Sequence, residues 1–230
     1  MREEFISFAN HELKTLLTSI LGSLSMVVDG YLGEIPSQMK EVLEIAHKNS
    51  KLLLRLIEDL TDLERIEAGK LAFDLRAVDI IPLIEQAIEM NRTYGELFGI
   101  QFELHNPVQK AIAKVDVERF SQVLNTLLSN AVKFSPFDET VRVTVEQLEL
   151  YLRINITDMG PGIPDEFHDQ IFQKFGPLKS EEFRDRGVGL GLSISKAIIE
   201  KFEGDIGYDV ESQAGSTFYV RVPLCQENGE

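Results

Sequence analysis

Between residues 5 and 68 the apolar residues of this chain recur at spacings of three and four, and the repeat is broken once. A pattern of that length admits little besides two long amphipathic helices folded against each other. In the first segment Ile6, Ala9, Leu13, Leu16, Ile20 and Val27 form the stripe, with a weak slot near Ser23 and Leu24. The break is residues 30–36, where Gly30, Gly33 and Pro36 supply a turn. The spacing predicts a first helix over 2–29 and a second running from Ser37, as N-cap, to about Ala68, with Gly69 as C-cap.

The second segment carries two stripes side by side. Val42, Ile45, Leu52, Leu56, Leu63 and Ile66 make one, and Leu43, Ala46, Leu53, Ile57 and Leu60 make the other. One hairpin cannot cover an apolar face that wide. Pairing with a second copy into a four-helix bundle covers it, which predicts a homodimer through the hairpin. The alternative is a monomer whose hairpin packs on the rest of the chain. Asn49 and Asp59 interrupt the stripes, either to fix register or as solvated positions.

On the first helix His11 falls opposite the stripe, with Glu12 beside it and Thr15 one turn further along. An imidazole on that face is not a core residue, and no Cys or second His lies near enough in sequence to suggest a metal site. It is suited to act as a base, or as a nucleophile that carries a covalent group. The plain alternative is a surface histidine.

The formal net charge of −15 repels phosphate backbones, and no Lys/Arg run offsets it, so nucleic-acid binding is not expected. The single cysteine, Cys225, excludes a disulfide framework and fits a reducing, cytoplasmic setting. No apolar run approaches the roughly 20 residues that span a bilayer, and no signal peptide is visible. The pattern begins already inside a helix. The sequence therefore reads as a piece of a longer protein, with any membrane attachment in parts absent from it.

From residue 71 the periodicity changes. Strands are predicted at 72–79, 100–105, 111–115, 140–146, 150–157, 205–211 and 216–222. Helices are predicted at 80–98, with Pro82 in the first turn, at 116–134 with Asp116 as cap, and at 190–202. This is an α+β two-layer sandwich over 71–225, a second domain after the hairpin of 1–70, with an acidic tail at 226–230 expected to be disordered.

Three stretches of the second domain carry chemistry. Asn130 and Lys133 lie on one helical face, where an amide oxygen can meet hydrated Mg²⁺ and an ammonium can meet phosphate. Asp158-Met159-Gly160-Pro161-Gly162 ends a predicted strand; the carboxylate can accept from the exocyclic amine of a base, and the glycines admit a flat ligand. Gly187, Gly189 and Gly191 alternate ahead of a helix N-terminus, where exposed N–H groups bind phosphate. This last run matches neither the dinucleotide fingerprint nor a P-loop. The long connection between them, 163–186, suggests a mobile lid; its plain alternative is a surface loop carrying two core phenylalanines.

In their order and spacing these stretches resemble the catalytic core of the sensor histidine kinases of two-component systems. His11-Glu12-Leu13-Lys14-Thr15 is similar to that family's phospho-acceptor box, and Asn130-Ala131-Val132-Lys133-Phe134 to its N box. Asp158 to Gly162 resembles the first glycine box, Phe172-Gln173-Lys174-Phe175 the F box, and Gly187-Val188-Gly189-Leu190-Gly191 the second glycine box. The resemblance covers essentially the whole chain. It implies a dimerisation and phosphotransfer hairpin followed by a Bergerat-type ATP-binding domain.

The same resemblance implies a mechanism. ATP binds with adenine on Asp158, near Gly160 and Gly162; Mg²⁺ sits at Asn130; Lys133 meets phosphate oxygens beside Phe134; Gly187, Gly189 and Gly191 hold the phosphate end. His11 takes the γ-phosphoryl group with Glu12 as base, and passes it to an Asp of a response-regulator receiver domain. Thr15 resembles the position that holds a water for dephosphorylating that partner. Whether the attack runs within one chain or across the dimer depends on the turn at 30–36. Two departures stand out. Leu16 occupies a position usually held by Pro, which implies a straighter helix. Thr126 occupies the usual position of a further Asn, with Asn125 out of phase by one; Thr126 still offers an oxygen to water or metal. Two other readings compete: an ATPase of the gyrase and chaperone type, and a degenerate kinase serving as a dimeric regulator-binding scaffold.

Overall fold

The computed structural model describes residues 2–174, 189–209 and 215–225, with the side chains of 2–9, 11 and 67 outside the description. The chain divides into two compact units, Met1–Leu71 and Ala72–Glu230.

The first unit is a helical hairpin of α1 (Arg2–Val28) and α2 (Ser37–Glu67). Helix α1 runs unbroken through Leu16, as expected where no proline interrupts it. Ser37 proves to be the first helical residue of α2 and not its cap. Pro36 holds the N-cap position, and no side chain caps that end. At the other end Ala68 is the C-cap, and Gly69 follows with φ +63°. The Gly69 amide donates to Ile66 O (3.0 Å) and the Lys70 amide to Arg65 O (2.8 Å), a Schellman closure that needs the left-handed residue at Gly69.

The packing inside the hairpin shows which apolar face does what. Leu17 is buried, Leu21, Leu24 and Val28 are half-buried, and Ile57 and Leu63 of α2 are buried. Leu13, Leu16 and Ile20, the centre of the sequence stripe on α1, remain 48%, 61% and 49% exposed. Val42, Ile45 and Leu52 of α2 are exposed as well, so each helix keeps one apolar strip outside the hairpin seam. Among the described residues no helix is long and apolar enough to cross a membrane.

The second unit is a sheet covered on one face by helices. Strands β2 (Gln101–His105), β4 (Thr140–Leu148), β5 (Tyr151–Asp158), β6 (Asp205–Asp209) and β7 (Ser216–Pro223) form a five-stranded sheet in the order β2-β4-β5-β7-β6. Among the described strands, β2 and β4 pair in parallel and the other neighbours of this sheet are antiparallel. Helices α3 (Ile81–Glu96), α4 (Val117–Phe134) and α5 (Gly191–Lys201) make the second layer, with α4 packed against both of the others and against β5. Strands β1 (Arg76–Asp79) and β3 (Ile112–Val115) form a separate antiparallel pair. Val141, Val143, Val145, Leu152, Ile154 and Ile156 alternate inward, and meet Phe120, Leu124, Leu127 and Leu128 of α4 in the core.

The strand expected at 72–79 is shorter than its sequence pattern. Arg76 pairs with Val115, and the next residue on the partner side is Asp116, which caps α4. The chain before Arg76 therefore has no strand to pair with. Its Asp74 amide donates instead to Asp116 Oδ2 (2.9 Å), and Phe73 packs edge-on against Phe202.

Candidate functional site: a nucleotide cradle and a helical histidine

Helix α4 is the spine of the candidate site. Asp116 Oδ1 accepts from the Arg119 amide (3.1 Å), fixing the helix start, and the buried face from Phe120 to Val132 fixes its rotation. That rotation puts Thr126, Asn130 and Lys133 on one flank, all half-buried. Asn130 is half-buried there, and its carboxamide carries an oxygen of the kind that coordinates a hard cation.

The out-of-phase Asn125 has a structural task. Its Oδ1 accepts from Asn91 Nδ2 (2.7 Å), and Asn91, buried, also donates to Ala87 O (2.9 Å), so α3 is bonded to α4. Thr126 is tied through both branches of its side chain, while its hydroxyl oxygen keeps lone pairs for water or metal. Its hydroxyl donates back to Gln122 O (2.9 Å), and its methyl lies against Gly191. A Cβ on Gly191 would fall 2.9 Å from Thr126 Cγ2.

Asp158 ends β5 and is only 3% exposed. Its Oδ1 accepts from the Gly160 amide (2.8 Å) and the Ser216 amide (3.2 Å). Burial pushes the Asp158 carboxyl above the ordinary carboxylate range, and the two backbone donors oppose that rise. Gly160 is required by close approach: a Cβ there would meet Phe134 O at 2.7 Å. The end of α4 thus abuts the first glycine loop, and Met159 N also reaches Ser135 Oγ (3.4 Å). Gly162 and Gly189 hold φ of +80° and +70°.

The sequence reading missed Gly215 and Ser216. A Cβ on Gly215 would lie 1.8 Å from Asp158 O, so the chain entering β7 lies directly on the residue that ends β5. Gly215-Ser216-Thr217 at the mouth of a predicted strand was the signal available, and it reads as an ordinary turn.

In the connection after Gly162, Asp165–Phe167 form one 3-10 turn. Phe172 packs edge-on against Phe218 of β7 (6.4 Å), which makes it a packing residue. Phe175, Gly187 and the second half of the expected lid, residues 175–186, lie outside the described residues. The structure brings Asn130, Lys133, Phe134, Asp158, Gly160, Gly162, Gly189 and Gly191 into one unit around α4. His11, Glu12 and Thr15 sit on α1 of the other unit, with Glu12 and Thr15 exposed and the His11 side chain outside the description.

Residues 1–69 match the His Kinase A (phospho-acceptor) domain, and residues 115–226 match the histidine kinase-, DNA gyrase B- and HSP90-like ATPase domain. The chain is 34% identical over 225 residues to the circadian input-output histidine kinase CikA of Synechococcus elongatus, covering 96% of this chain and 30% of that protein. It is 31% identical over 224 residues to the sensor protein SrrB of Staphylococcus aureus, covering 97% of this chain and 38% of that one. It spans about a third of the length of these relatives. Among solved structures, full-length ShkA in complex with AMPPNP shares the fold, with TM-score 0.76 and 24% identity over 96% of this chain and 46% of that chain. The Acinetobacter baumannii histidine kinase AdeS matches with TM-score 0.65 and 27% identity, over 93% of this chain and 98% of that chain. With a phospho-acceptor domain followed by an ATPase domain of this type, the chain belongs to the sensor histidine kinases of two-component systems.

Proposed function

We propose that this chain phosphorylates His11 with the γ-phosphoryl group of ATP and passes it to an Asp of a response-regulator receiver domain. The observation that carries the reading is the environment of Asp158. A carboxylate 3% exposed, with both backbone donors on Oδ1, keeps its other oxygen for a donor on a ligand, and the exocyclic amine of adenine is such a donor. Gly160 and Gly162 let the base approach the backbone, and Gly189 and Gly191 present amides to the phosphates at the start of α5.

Lys133 is the counter-charge for phosphate oxygens on the flank of α4. Asn130 offers a neutral amide oxygen, a hard donor suited to Mg²⁺. Among the described residues no cluster of three or more His, Cys, Asp or Glu could hold a metal by protein groups alone, which fits an ion held largely by phosphates and water. When bound, Mg²⁺ supplies charge neutralisation across the phosphates.

In the transfer, one ring nitrogen of His11 attacks the γ-phosphorus, the bond to the β,γ-bridging oxygen breaks and ADP leaves. The ring proton passes to Glu12. Thr15, one turn along α1, is proposed to hold the water that dephosphorylates the regulator. The exposed strips of α1 and α2 are proposed to close the hairpin into a homodimeric four-helix bundle.

The test is label transfer from Mg·[γ-³²P]ATP to the chain, wild type against His11→Gln. Acid-labile, alkali-stable label on wild type alone is the expected result. No label on either, with ATP still bound, would overturn the kinase reading and leave an ATPase or a scaffold.

A further inference from the structure

We propose that Asn10 and Glu64 are positioning residues that set the rotation of α1, and with it the presentation of His11; this rests on His11 being the phospho-acceptor. Asn10 is 6% exposed, unusual for a carboxamide on a two-helix hairpin, and its Nδ2 donates to Glu64 Oε2 across the seam at 3.2 Å. The bond is charge-assisted and part-buried, so its geometry is held more tightly than that of a solvated pair.

Its neighbours are weaker locks. Lys14 Nζ meets Glu58 Oε1 at 2.8 Å, but both side chains are about half exposed, where ion pairs do little. Ser25 Oγ and His47 Nε2 lie 2.9 Å apart at the far end of the hairpin. The three pairs keep one antiparallel register, and Asn10–Glu64 is the part-buried pair beside the histidine. Asp62 of α2 is a further buried polar residue of the hairpin, at 8% exposure; Leu17, Leu21, Leu24 and Ile57 supply apolar packing, and apolar contacts alone resist rotation and sliding poorly. His11 follows Asn10 by one residue, about 100° round the same helix. Any turn of α1 that keeps the pair keeps the direction of residue 11, and any turn that moves residue 11 must break the pair.

The pair can be inverted without changing its size. Asn10→Asp places two carboxylates together; adding Glu64→Gln restores a carboxylate–amide bond with the donor on the other helix. In the full chain, with label transfer from saturating Mg·ATP, Asn10→Asp is expected to slow His11 phosphorylation by about tenfold or more. KM for ATP should stay within about twofold, because the nucleotide cradle is in the other unit. The Asn10→Asp/Glu64→Gln chain should recover to within about threefold of wild type. Glu64→Ala, at a half-exposed position, removes the acceptor from the other helix without adding a charge and should slow the reaction in the same direction.

A rate unchanged in both Asn10→Asp and Glu64→Ala would overturn the proposal. So would a double variant no faster than Asn10→Asp, since the pair would then not be the agent. A loss that follows the melting temperature, with KM rising alongside, would also overturn it in favour of a structural role. Wild-type chain that binds ATP and takes no label would instead mark the failure of His11 as acceptor.

Discussion

Thr126 and Gly191 touch where α4 passes the start of α5: a Cβ built on Gly191 would stand 2.9 Å from Thr126 Cγ2. Thr126 is β-branched and its hydroxyl is bonded to Gln122 O, so its methyl cannot swing away cheaply. Gly191→Ala should improve the helix propensity of α5 by up to about 1 kcal/mol, so the fold survives. The displaced helix start is expected to weaken binding of a non-hydrolysable ATP analogue by about tenfold, the effect of an overpacking cost near about 1.4 kcal/mol. Thr126→Ser, which deletes the methyl, should recover most of that loss in the same titration.

Gly215 is a harsher case. Its φ of +81° and the 1.8 Å approach to Asp158 O leave no room for any side chain. Gly215→Ala is expected to cost about 3 kcal/mol in the second unit. Amide exchange of Ile154 and Ile156 in urea reads that loss locally, and protection equal to wild type would refute it.

Asp158→Asn separates binding from stability. The carboxamide oxygen still accepts from the Gly160 and Ser216 amides, but an NH₂ then replaces the acceptor offered to the base. Binding of the ATP analogue should fall by about a hundredfold, the scale of losing a charge-assisted bond and facing two donors.

The pH dependence of the same variant has a fixed sign. Because burial raises the folded Asp158 pKa, the folded state holds its proton more tightly than the unfolded state. The stability linked to that proton is present below the ordinary carboxylate value and lost as pH rises through the raised one. The carboxamide introduced by Asp158→Asn does not titrate. The melting temperature of Asp158→Asn minus that of wild type should therefore be larger near about pH 7 than near about pH 4. A difference that grows on acidification would contradict this.

The exposed strips of the hairpin predict its assembly. Leu16 and Ile45 are both 61% exposed, far more than apolar seam residues such as Leu17 and Ile57. Leu16→Asp with Ile45→Asp should leave a helical chain of half the native mass at micromolar concentration, read by sedimentation equilibrium. A wild-type chain that is itself monomeric would remove the four-helix bundle.

Much of this architecture follows from local pattern. Asp116 announces α4 because a carboxylate three residues before a free amide is a local bond, and the alternation in β4 and β5 needs only the two faces of one sheet. The wide apolar face of the hairpin was legible for the same reason: helical period depends on neighbours three and four apart. Asp158, the glycines around it, Asn130 and Lys133 were legible as chemistry, since their residue types and spacing state what they can bind.

What depends on distant chain was not legible. The first strand stops at Arg76 because its partner turns into a helix at Asp116, a fact about 40 residues away in sequence. Asn125 and Thr126 are adjacent polar residues, and nothing local prefers one of them for the site. Only the packing of α3 and α5 on α4 commits Asn125 to Asn91 and turns the methyl of Thr126 to Gly191. Gly215 looks like any turn glycine until β7 lies beside β5 and brings it against Asp158. The sequence by itself determined the elements, their periods and the groups able to do chemistry, because these are set by bonds within a few residues. The tertiary structure decided which polar groups are consumed in holding elements together and which are left for a ligand, because a buried hydrogen-bonding group takes its partner from whatever segment packs against it.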